Sequence, residues 1–489
     1  MMLQSLRSGP LTKARNYATA TKPVVKKEGS IADAFNSLSG GNAPPLPLRF
    51  RQLKQQIAQG REDRMIASWH RLLDELRLEC DIIARKGPRA IPEIEFKDLA
   101  GDLRSIRGEI KKRGALVVRN VIPEAEARGY KYDLEEYIRL NPSTRNFEGQ
   151  VFELYWSLPQ LKARSHPNMV AAQSTLMSLW NKSDAKAPIS TSQTLMYADR
   201  LRIRQPGDAK FALGPHQDGG SVERWQPEGS AGVYERILQG DWENHDPWDA
   251  STRVHANINL YDGLGACSMF RMFQGWLSMS TVSPYEGTLL VQPLLKHSTA
   301  YTLLRPFFRP VAQYGDIATE EYLKPSNWQF IAGEDMTSEL QGATPGQGQE
   351  YTEFNHPHLE LNRTMVHVPK VRPGDYVVWH CDTIHAVDKT HKGNFDSSVL
   401  YIPVCPLTEA NARYAATQRQ AFLDGTPGPD FPGGLGESQH VQRPDVQDLR
   451  RVTDENGLRA AGFEKLPILG GDSPGTISVT QTANSILGF

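Results

Sequence analysis

The second half of the chain consists of short apolar segments separated by glycine, proline and polar turns. Each segment is rich in β-branched or aromatic residues, which is typical of strands, and Gly or Pro stands where extended chain would end. Strands that follow a helical first half favour a jelly roll or barrel with a helical layer outside it. The segments predicted as strands are residues 194–205, 254–262, 268–282, 287–295, 375–381 and 397–404.

Periodic apolar residues predict helices before these strands. Over 48–84, Leu, Ile, Met and Trp recur at three- and four-residue steps among charged residues. An amphipathic helix is predicted over 97–113, where basic residues in the last turn are followed by Gly114. Further elements are expected as follows: a strand over 114–122, a helix over 124–139, and long loops over 310–360 and 424–447.

The N-terminal residues have the composition of a mitochondrial transit peptide. They carry Arg, Lys, Ser, Thr and Ala, with no acidic residue before Glu28. Residues 15–19, RNYAT, resemble the processing site of fungal mitochondrial presequences. We predict a protein of the mitochondrial matrix, with a disordered basic tail on a cytoplasmic protein as the alternative. The predicted division of the chain is a transit peptide or disordered segment over 1–30, a helical region over 31–95, the strand-bearing domain with insertions over 96–420, and a loop-rich extension over 421–489.

Composition excludes several classes of partner. The chain has 55 Lys and Arg against 56 Asp and Glu, which gives no reason to expect nucleic acid. No run of about 18 apolar residues occurs, so we expect no membrane span. The four cysteines are scattered and form no CxxC pair, which indicates a reducing compartment. We therefore expect a small-molecule substrate, and the sequence predicts no oligomeric state.

The segment GPHQDGGSVERW, residues 214–225, carries the first candidate ligands of a metal ion. His216 and Asp218 are two residues apart, and such positions point to the same side of an extended chain. The glycines at 219 and 220 let the backbone turn away and leave an ion accessible. An H-x-D pair alone is a weak signal, because two common residues often stand at this spacing by chance.

A second segment, RPGDYVVWHCDTIHAV at residues 372–387, adds a third candidate ligand. Residues 373–375 predict a turn and residues 376–379 a strand, and His385 follows just beyond that strand. Two histidines and one carboxylate can occupy one face of an octahedral ion and leave three positions open, as in non-haem Fe(II) oxygenases. His380 and Asp382 form a competing H-x-D pair, and we expect His380 to be a hydrogen-bonded strand histidine.

Taken together, these motifs resemble the Fe(II)/2-oxoglutarate-dependent dioxygenases of the phytanoyl-CoA dioxygenase type. The wider sequence is closer still to a bacterial and fungal family of unknown function related to them, over roughly residues 95–420. The resemblance implies an α+β fold, a double-stranded β-helix (jelly roll, cupin-like) with N-terminal helices packed outside. It implies Fe(II) held by His216, Asp218 and His385, 2-oxoglutarate and O₂ as co-substrates, and hydroxylation of a small organic substrate. The matching stretches are residues 155–167, 197–204, 214–225, 270–280, 372–387 and 397–406.

One departure from that family concerns the cation for 2-oxoglutarate. Related oxygenases place an Arg about 10–14 residues after the distal His, but residues 395–399 contain no base. Because Arg pairs with carboxylates through two hydrogen bonds, we expect another Arg to replace it. The candidates are Arg271 first, then Arg202 and Arg204, with a hydroxyl from Ser397 or Ser398.

The second departure is a spacing of 167 residues between Asp218 and His385, which predicts insertions around 226–250 and 310–360 that could cover the site.

Two other classes of function stay open: a cupin-like metal enzyme that does not use 2-oxoglutarate (a ring-cleaving dioxygenase, hydrolase or isomerase), and a non-catalytic member. Glu223 and Arg224 are expected to form a local ion pair. The following tryptophans either line a substrate pocket or fix the insertion to the barrel: Trp225, Trp242 and Trp248.

Overall fold

The computed structural model describes residues 31–39, 44–210, 212–263 and 267–489. Residues 1–30, on which the transit-peptide prediction rests, lie outside these ranges, so mitochondrial import stays a prediction. Within the described ranges, no helix is both long and apolar enough to cross a membrane.

Helices lie mainly before the strands and at the C-terminus. The helix predicted over 48–84 is two helices, because Gly60 adopts a left-handed conformation (φ 70°) between them. The helix predicted over 97–113 is also divided, at Ile106. The α-helices are α1 (Asn36–Ser39), α2 (Arg49–Ala58), α3 (Glu62–Lys86), α4 (Leu99–Ser105), α5 (Arg107–Arg113), α6 (Glu124–Leu140), α7 (Leu158–Ser165), α8 (Pro167–Met177), α9 (Glu235–Leu238), α10 (Leu295–Leu304), α11 (Thr319–Tyr322), α12 (Leu361–Thr364), α13 (Glu409–Asp424), α14 (Val446–Val452), α15 (Glu455–Ala460) and α16 (Pro474–Leu487).

The strands form one sheet of eight strands, one of five and two of two, and none of these sheets closes on itself within the described residues. The fold is therefore a mixed α+β fold with several open sheets. The strands are β1 (Glu93–Glu95), β2 (Ala115–Arg119), β3 (Asn146–Phe147), β4 (Val151–Phe152), β5 (Ile189–Leu195), β6 (Leu201–Arg204), β7 (His216–Gln217), β8 (Phe273–Ser278), β9 (Leu289–Val291), β10 (Phe308–Pro310), β11 (Trp328–Phe330), β12 (Gln349–Glu350), β13 (Val366–His367), β14 (Tyr376–His380), β15 (His385–Val387), β16 (Ser397–Tyr401) and β17 (Cys405–Thr408).

Successive strands alternate between the two large sheets. The eight-stranded sheet has the order β1-β2-β14-β8-β16-β6-β4-β3, and the five-stranded sheet has the order β12-β7-β15-β9-β13. From β6 to β9 the chain changes sheet at every strand, and from β13 to β16 it does so again. The central neighbours in both sheets are antiparallel. Residues far apart in the sequence are thereby brought between the same two layers.

The hydrophobic cores join the helices to the sheets. Trp69 of α3 is fully buried and belongs to the same core as Trp276 of β8 and Val291 of β9. Truncation of a tryptophan in such a core costs about 3–5 kcal/mol. A third core joins the C-terminal helices to β5 and β17. The regions before residue 96 and after residue 420 therefore pack directly on the strand-bearing part of the chain.

Residues 254–262, predicted as a strand, form turns instead. The Asn257 side chain accepts a hydrogen bond from the Asn259 amide (2.9 Å), and Asn259 accepts one from the Gly263 amide (3.3 Å). Asp262 adopts a left-handed conformation (φ 46°). Short polar side chains that bind nearby amides compete with sheet pairing, and this outweighs the apolar alternation.

The C-terminal part contains more helix than the predicted loop-rich extension. Residues 425–445 lack helices and strands, as expected, but α14, α15 and α16 follow. Their boundaries carry ordinary capping signals: Asp445 and Asp448 form a capping box, and Ser473 caps α16 ahead of Pro474. The loop prediction therefore holds only for the part before α14.

Candidate metal centre

Two histidines on neighbouring strands form one side of the centre. His216 of β7 and His385 of β15 are paired directly across the antiparallel ladder. The Nδ1 atom of His216 lies 2.7 Å from the Gly214 carbonyl oxygen, and that of His385 lies 3.1 Å from the Thr383 carbonyl oxygen. A carbonyl oxygen only accepts, so both Nδ1 atoms carry the proton. Both Nε2 atoms are left with a lone pair for a metal ion.

Asp218 completes the group of donor atoms. Its carboxylate oxygens lie 3.5 Å from Nε2 of His216 and 3.9 Å from Nε2 of His385. One ligand atom from each of the three residues lies within 4.8 Å of the others. The predicted candidates are therefore brought together, with each histidine fixed by a backbone carbonyl.

Electrostatics hold these groups in the states that bind a metal. Burial and the neighbouring His216 lower the pKa of His385 to about 3, so its imidazole is neutral at pH 7. Burial raises the pKa of Asp218, but His216, His385 and Arg271 outweigh burial and hold this pKa well below its usual range. Nitrogen ligands must be neutral and carboxylate ligands ionised, and His385 and Asp218 meet these conditions.

The competing group around His380 is occupied by protein contacts. The Nε2 atom of His380 donates to the Pro247 carbonyl (3.0 Å), and its Nδ1 atom accepts from the Asp382 amide (3.0 Å). The two Asp382 oxygens are bound by Arg253 and Tyr234. Although these side chains are close enough to form a candidate ligand group, none of the His380 and Asp382 donor atoms is free. His380 is the hydrogen-bonded strand histidine that was expected.

A cavity of about 180 Å³ adjoins the donor atoms, whereas a single water molecule needs roughly 10–15 Å³. Both large sheets line it, with Trp276, Trp379 and Tyr401 from one and Leu289 and Val387 from the other. Asp218 faces this space and keeps 32% of its side-chain surface accessible. The candidate ligands therefore stand at the wall of an internal chamber large enough for small organic molecules.

Of the three arginines predicted to bind 2-oxoglutarate, two line this cavity. Arg271 lies beside the candidate metal ligands, with Nη2 3.9 Å from Oδ2 of Asp218. Arg202 lies on β6 and donates to the Gln150 side chain (2.7 Å). Thr288, which sequence reasoning did not single out, also lines the cavity, and its buried hydroxyl has no hydrogen-bond partner among the described residues.

Arg204 and Ser398 are directed elsewhere. Arg204 is buried and forms an ion pair with Asp208 (2.8 Å), and its remaining donors bind main-chain carbonyls, including that of Asp388 (2.7 Å). The Ser398 hydroxyl donates to Asp396 (2.6 Å). Neither residue lines the cavity, although Ser397 does. The predicted roles of Arg204 and Ser398 therefore have no support in this geometry.

The tryptophans that follow the first motif fix this part of the chain to its surroundings. The Trp225 indole donates to the Leu303 carbonyl (3.1 Å), and the Trp248 indole donates to the Lys111 carbonyl (3.1 Å). Trp242 is buried in the same core as Trp69. None of these three tryptophans lines the cavity beside Asp218. Of the two predicted roles, they therefore have that of fixing the insertion to its surroundings.

Comparison with known proteins identifies the family. Residues 44–463 match the family model described as Gig2-like. The chain belongs to the Gig2-like family. It is 30% identical to the uncharacterized protein YbiU of Escherichia coli K12, over 79% of this chain and 88% of that protein.

Solved relatives in the family have the same fold. GIG2 (DUF1479) of Candida albicans, GlcNAc Inducible Gene 2, is 33% identical with a TM-score of 0.81, covering 92% of this chain and 97% of that one. A Salmonella typhimurium LT2 protein, provisionally named an oxidoreductase, is 29% identical with a TM-score of 0.72, covering 86% and 98%. EctD of S. alaskensis, solved with 2-oxoglutarate, gives only 11% identity and a TM-score of 0.34, too distant to support a conclusion.

Proposed function

We propose that this protein is a non-haem Fe(II)/2-oxoglutarate-dependent dioxygenase that hydroxylates a small organic substrate. The observation that carries the proposal is the convergence of His216, Asp218 and His385 beside an internal cavity. Two imidazoles and one carboxylate on one side of an ion leave its other positions free for exogenous ligands, which is the arrangement of this enzyme class.

The donor set fits a divalent first-row metal ion. Its two neutral nitrogens and one carboxylate oxygen suit iron, manganese or zinc, and the resemblance to oxygenases selects iron. When bound with a 2-oxo acid, ferrous iron would supply the activation of O₂ that oxidation of a C–H bond requires. The carbonyls of Gly214 and Thr383 would keep both imidazoles in the ligating tautomer.

Strand order supports a double-stranded β-helix as the finer description of the fold. In a jelly roll, consecutive strands alternate between two antiparallel sheets, with one connection that stays within a sheet. The eight strands β6, β7, β8, β9, β13, β14, β15 and β16 follow this rule, since β9 and β13 are the only consecutive members of this series that lie in the same sheet. The strand β12 adds an edge to that sheet beside β7. The candidate ligands would then lie inside the β-helix, between its two layers.

Arg202 and Thr288 are proposed to bind the far carboxylate of 2-oxoglutarate. That carboxylate lies three carbon–carbon bonds beyond the 2-oxo group that chelates the metal, so its partner must stand away from the ligands. Arg271 is within 4 Å of Asp218 and is suited instead to orienting that ligand. Arg202 supplies a buried cation, Thr288 supplies a hydroxyl that no described residue binds, and both line the cavity.

Anaerobic addition of Fe(II) and then 2-oxoglutarate to the purified protein tests this proposal. A weak visible charge-transfer band that needs both additions, and that is absent in Asp218→Ala, would support the assignment of metal, co-substrate and ligand. Stoichiometric binding of iron with no band would overturn the use of 2-oxoglutarate. That result would favour a cupin-like metal enzyme with the same three ligands.

A further inference from the structure

A second cavity adjoins the candidate metal ligand Asp218. It has a volume of about 70 Å³, and half of its lining residues lie between residues 220 and 258. Asp218, Arg271 and Gln274 line both cavities, so the wall between them is formed by these side chains. A molecule in the second cavity would therefore lie close to the metal centre without filling the first cavity.

Arg224 brings to this cavity a positive charge that forms no direct ion pair with any described residue. The residue is 6% exposed, and its only hydrogen bond among the described residues goes to the Gly220 carbonyl. No carboxylate oxygen of the described chain lies within 4.0 Å of its guanidinium, so the expected ion pair with Glu223 is not formed. Buried charges are ordinarily paired, because desolvation without a counter-charge is costly.

The neighbouring carboxylates have other partners. Asp382 is held by Arg253 (2.5 Å) and Tyr234 (2.8 Å). Glu223 accepts a hydrogen bond from the Ser221 amide (2.9 Å). Asp218 belongs to the candidate metal centre. Among the described residues, the guanidinium of Arg224 therefore makes no direct ion pair, and the charges of Asp382 and Glu223 act on it only from beyond 4.0 Å.

Two further donors in the cavity also lack partners. The Ser230 hydroxyl is buried, and it has no hydrogen-bond partner among the described residues. The Nε atom of Arg253 is likewise unpartnered in the described chain, although its Nη2 atom binds Asp382. Buried polar groups are rarely left unsatisfied in native proteins. These donors, together with Arg224, require a ligand that supplies acceptors and negative charge.

We propose that the second cavity binds an oxyanion group of the substrate, held by Arg224 and Ser230. The substrate would then be a small organic acid or phosphate ester, with its anionic end in the second cavity and its remainder directed towards Asp218. This inference rests on the proposed function for its link to catalysis, whereas binding of the anion depends on Arg224 and Ser230 alone. The planar fork of Arg224 suits both carboxylate and phosphate.

Calorimetric titration of the metal-free full chain tests the anion site. The probes are sodium acetate and inorganic phosphate, with acetamide as the neutral counterpart of acetate. We expect acetate or phosphate to bind and acetamide not to bind, and the stronger of the two anions identifies the group that the substrate carries. Absence of binding by both anions would overturn the proposal.

Variants separate this site from the rest of the protein. Arg224→Gln should weaken anion binding about 10- to 100-fold, and Ser230→Ala about 3- to 10-fold, because charge-assisted hydrogen bonds are lost. Ser230→Ala removes a hydroxyl that bonds to none of the described residues, so the fold should be retained. Arg413→Gln, at a side chain 66% exposed, is the matched surface control and should bind like the wild type. Unchanged affinity in both Arg224→Gln and Ser230→Ala would refute the assignment.

The test of 2-oxoglutarate binding gives an independent result. Arg224→Gln should keep the charge-transfer band with Fe(II) and 2-oxoglutarate, because Arg224 does not line the first cavity. Arg202→Ala should need about 10- to 100-fold more 2-oxoglutarate to form the band but should keep anion binding at Arg224. Loss of anion binding in Arg202→Ala would place the anion in the first cavity and overturn the inference. If the wild type shows no charge-transfer band but its anion binding still depends on Arg224, only the proposed function is refuted.

Discussion

The rings of His216 and His385 face each other across two neighbouring antiparallel strands, with centroids 4.1 Å apart. The pairing of β7 with β15 places both imidazoles on the same face of the sheet. A shift of one residue in this register would turn one imidazole to the opposite face. The position of the candidate ligands is therefore fixed by main-chain hydrogen bonds.

Loss of Asp218 should abolish tight metal binding. Replacement of groups that merely orient a ligand weakens metal affinity about 10- to 100-fold, so Asp218→Ala should exceed that range. Equilibrium dialysis with Fe(II) under anaerobic conditions measures the effect. Asp382→Asn is the control from the competing H-x-D pair. It should keep metal affinity but lower the melting temperature, because the ion pair with Arg253 is lost.

Loss of Arg202 should weaken 2-oxoglutarate binding without affecting iron. A charge-assisted hydrogen bond contributes about 1.5–3 kcal/mol, so Arg202→Ala should raise the Kd for 2-oxoglutarate about 10- to 100-fold. Thr288→Val should have a smaller effect in the same direction. Titration of the charge-transfer band measures both constants. Equal 2-oxoglutarate affinity in wild type and Arg202→Ala would show that another cation binds the far carboxylate.

Arg204 provides a control for the same strand. It stands two residues from Arg202, but its guanidinium is bound by Asp208 and by main-chain carbonyls. Arg204→Ala should therefore lower the melting temperature and leave the Kd for 2-oxoglutarate unchanged in the folded fraction. A change in that Kd as large as the one in Arg202→Ala would mean that the two arginines have been assigned to the wrong roles.

The sequence allows the candidate ligands to be predicted because they depend on local geometry. Residues two apart share one side of extended chain, which brings together His216 and Asp218. The turn before β14 is equally local, since Gly374 adopts a left-handed conformation (φ 91°) and Asp375 accepts a hydrogen bond from the Arg372 amide (2.9 Å). The strand and the candidate distal ligand His385 follow from that turn.

Roles that depend on distant loops could not be predicted in this way. Arg202 and Arg204 stand two residues apart on one strand, at positions that share one side of it, and are therefore equivalent in the sequence pattern. They differ because residues 388 and 389, nearly two hundred positions away, supply carbonyls to Arg204 only. Thr288 and Ser230 show no local signal at all. Their hydroxyls differ from other buried hydroxyls in having no hydrogen-bond partner in the described chain, and this can be seen only in the folded structure.

Stability should decrease below about pH 6.5 because buried His358 remains neutral in the folded state. Burial and the charge of Arg305 lower the pKa of His358 from 6.5 to about 3. Between these values the unfolded chain binds a proton that the folded chain does not. The free energy of unfolding therefore falls by about 1.4 kcal/mol per pH unit from this residue as the pH decreases.

Urea denaturation at pH values between 7 and 4.5 measures this contribution. His358→Asn should reduce the pH dependence of the unfolding free energy by about one proton. His70→Asn, at an exposed position of α3, is the matched control for the same substitution outside the core. Identical slopes in wild type and His358→Asn would contradict the assignment of this proton to His358.

Glu437 anchors the segment over residues 425–445 to the rest of the protein. Its buried carboxylate accepts hydrogen bonds from the amides of Tyr155 (2.8 Å) and Trp156 (3.0 Å). Glu437→Ala would leave both amides without an acceptor, and we expect the protein to lose about 2–5 kcal/mol of stability. Glu437→Gln keeps one acceptor oxygen and should lose less.

Limited proteolysis measures the local consequence of that change. Asp430, Phe431 and Pro432 of this segment line the first cavity. Glu437→Ala should increase cleavage within residues 425–445 while Fe(II) binding is retained, because the candidate ligands lie on other elements. Unaltered cleavage together with unaltered stability would mean that Glu437 does not hold this segment in place.

The pairing of β7 with β15 also determines when the metal centre can form during synthesis. The side-chain amide of Gln217 in β7 donates a hydrogen bond to the main-chain carbonyl of Asp382, which lies 165 residues later in the chain. A nascent polypeptide that ends before residue 385 has His216 and Asp218 but not His385, so it cannot hold an ion as the full chain would. We therefore expect the three candidate ligands to come together only after residue 385 has been synthesised. A polypeptide truncated before residue 385 would have no such centre.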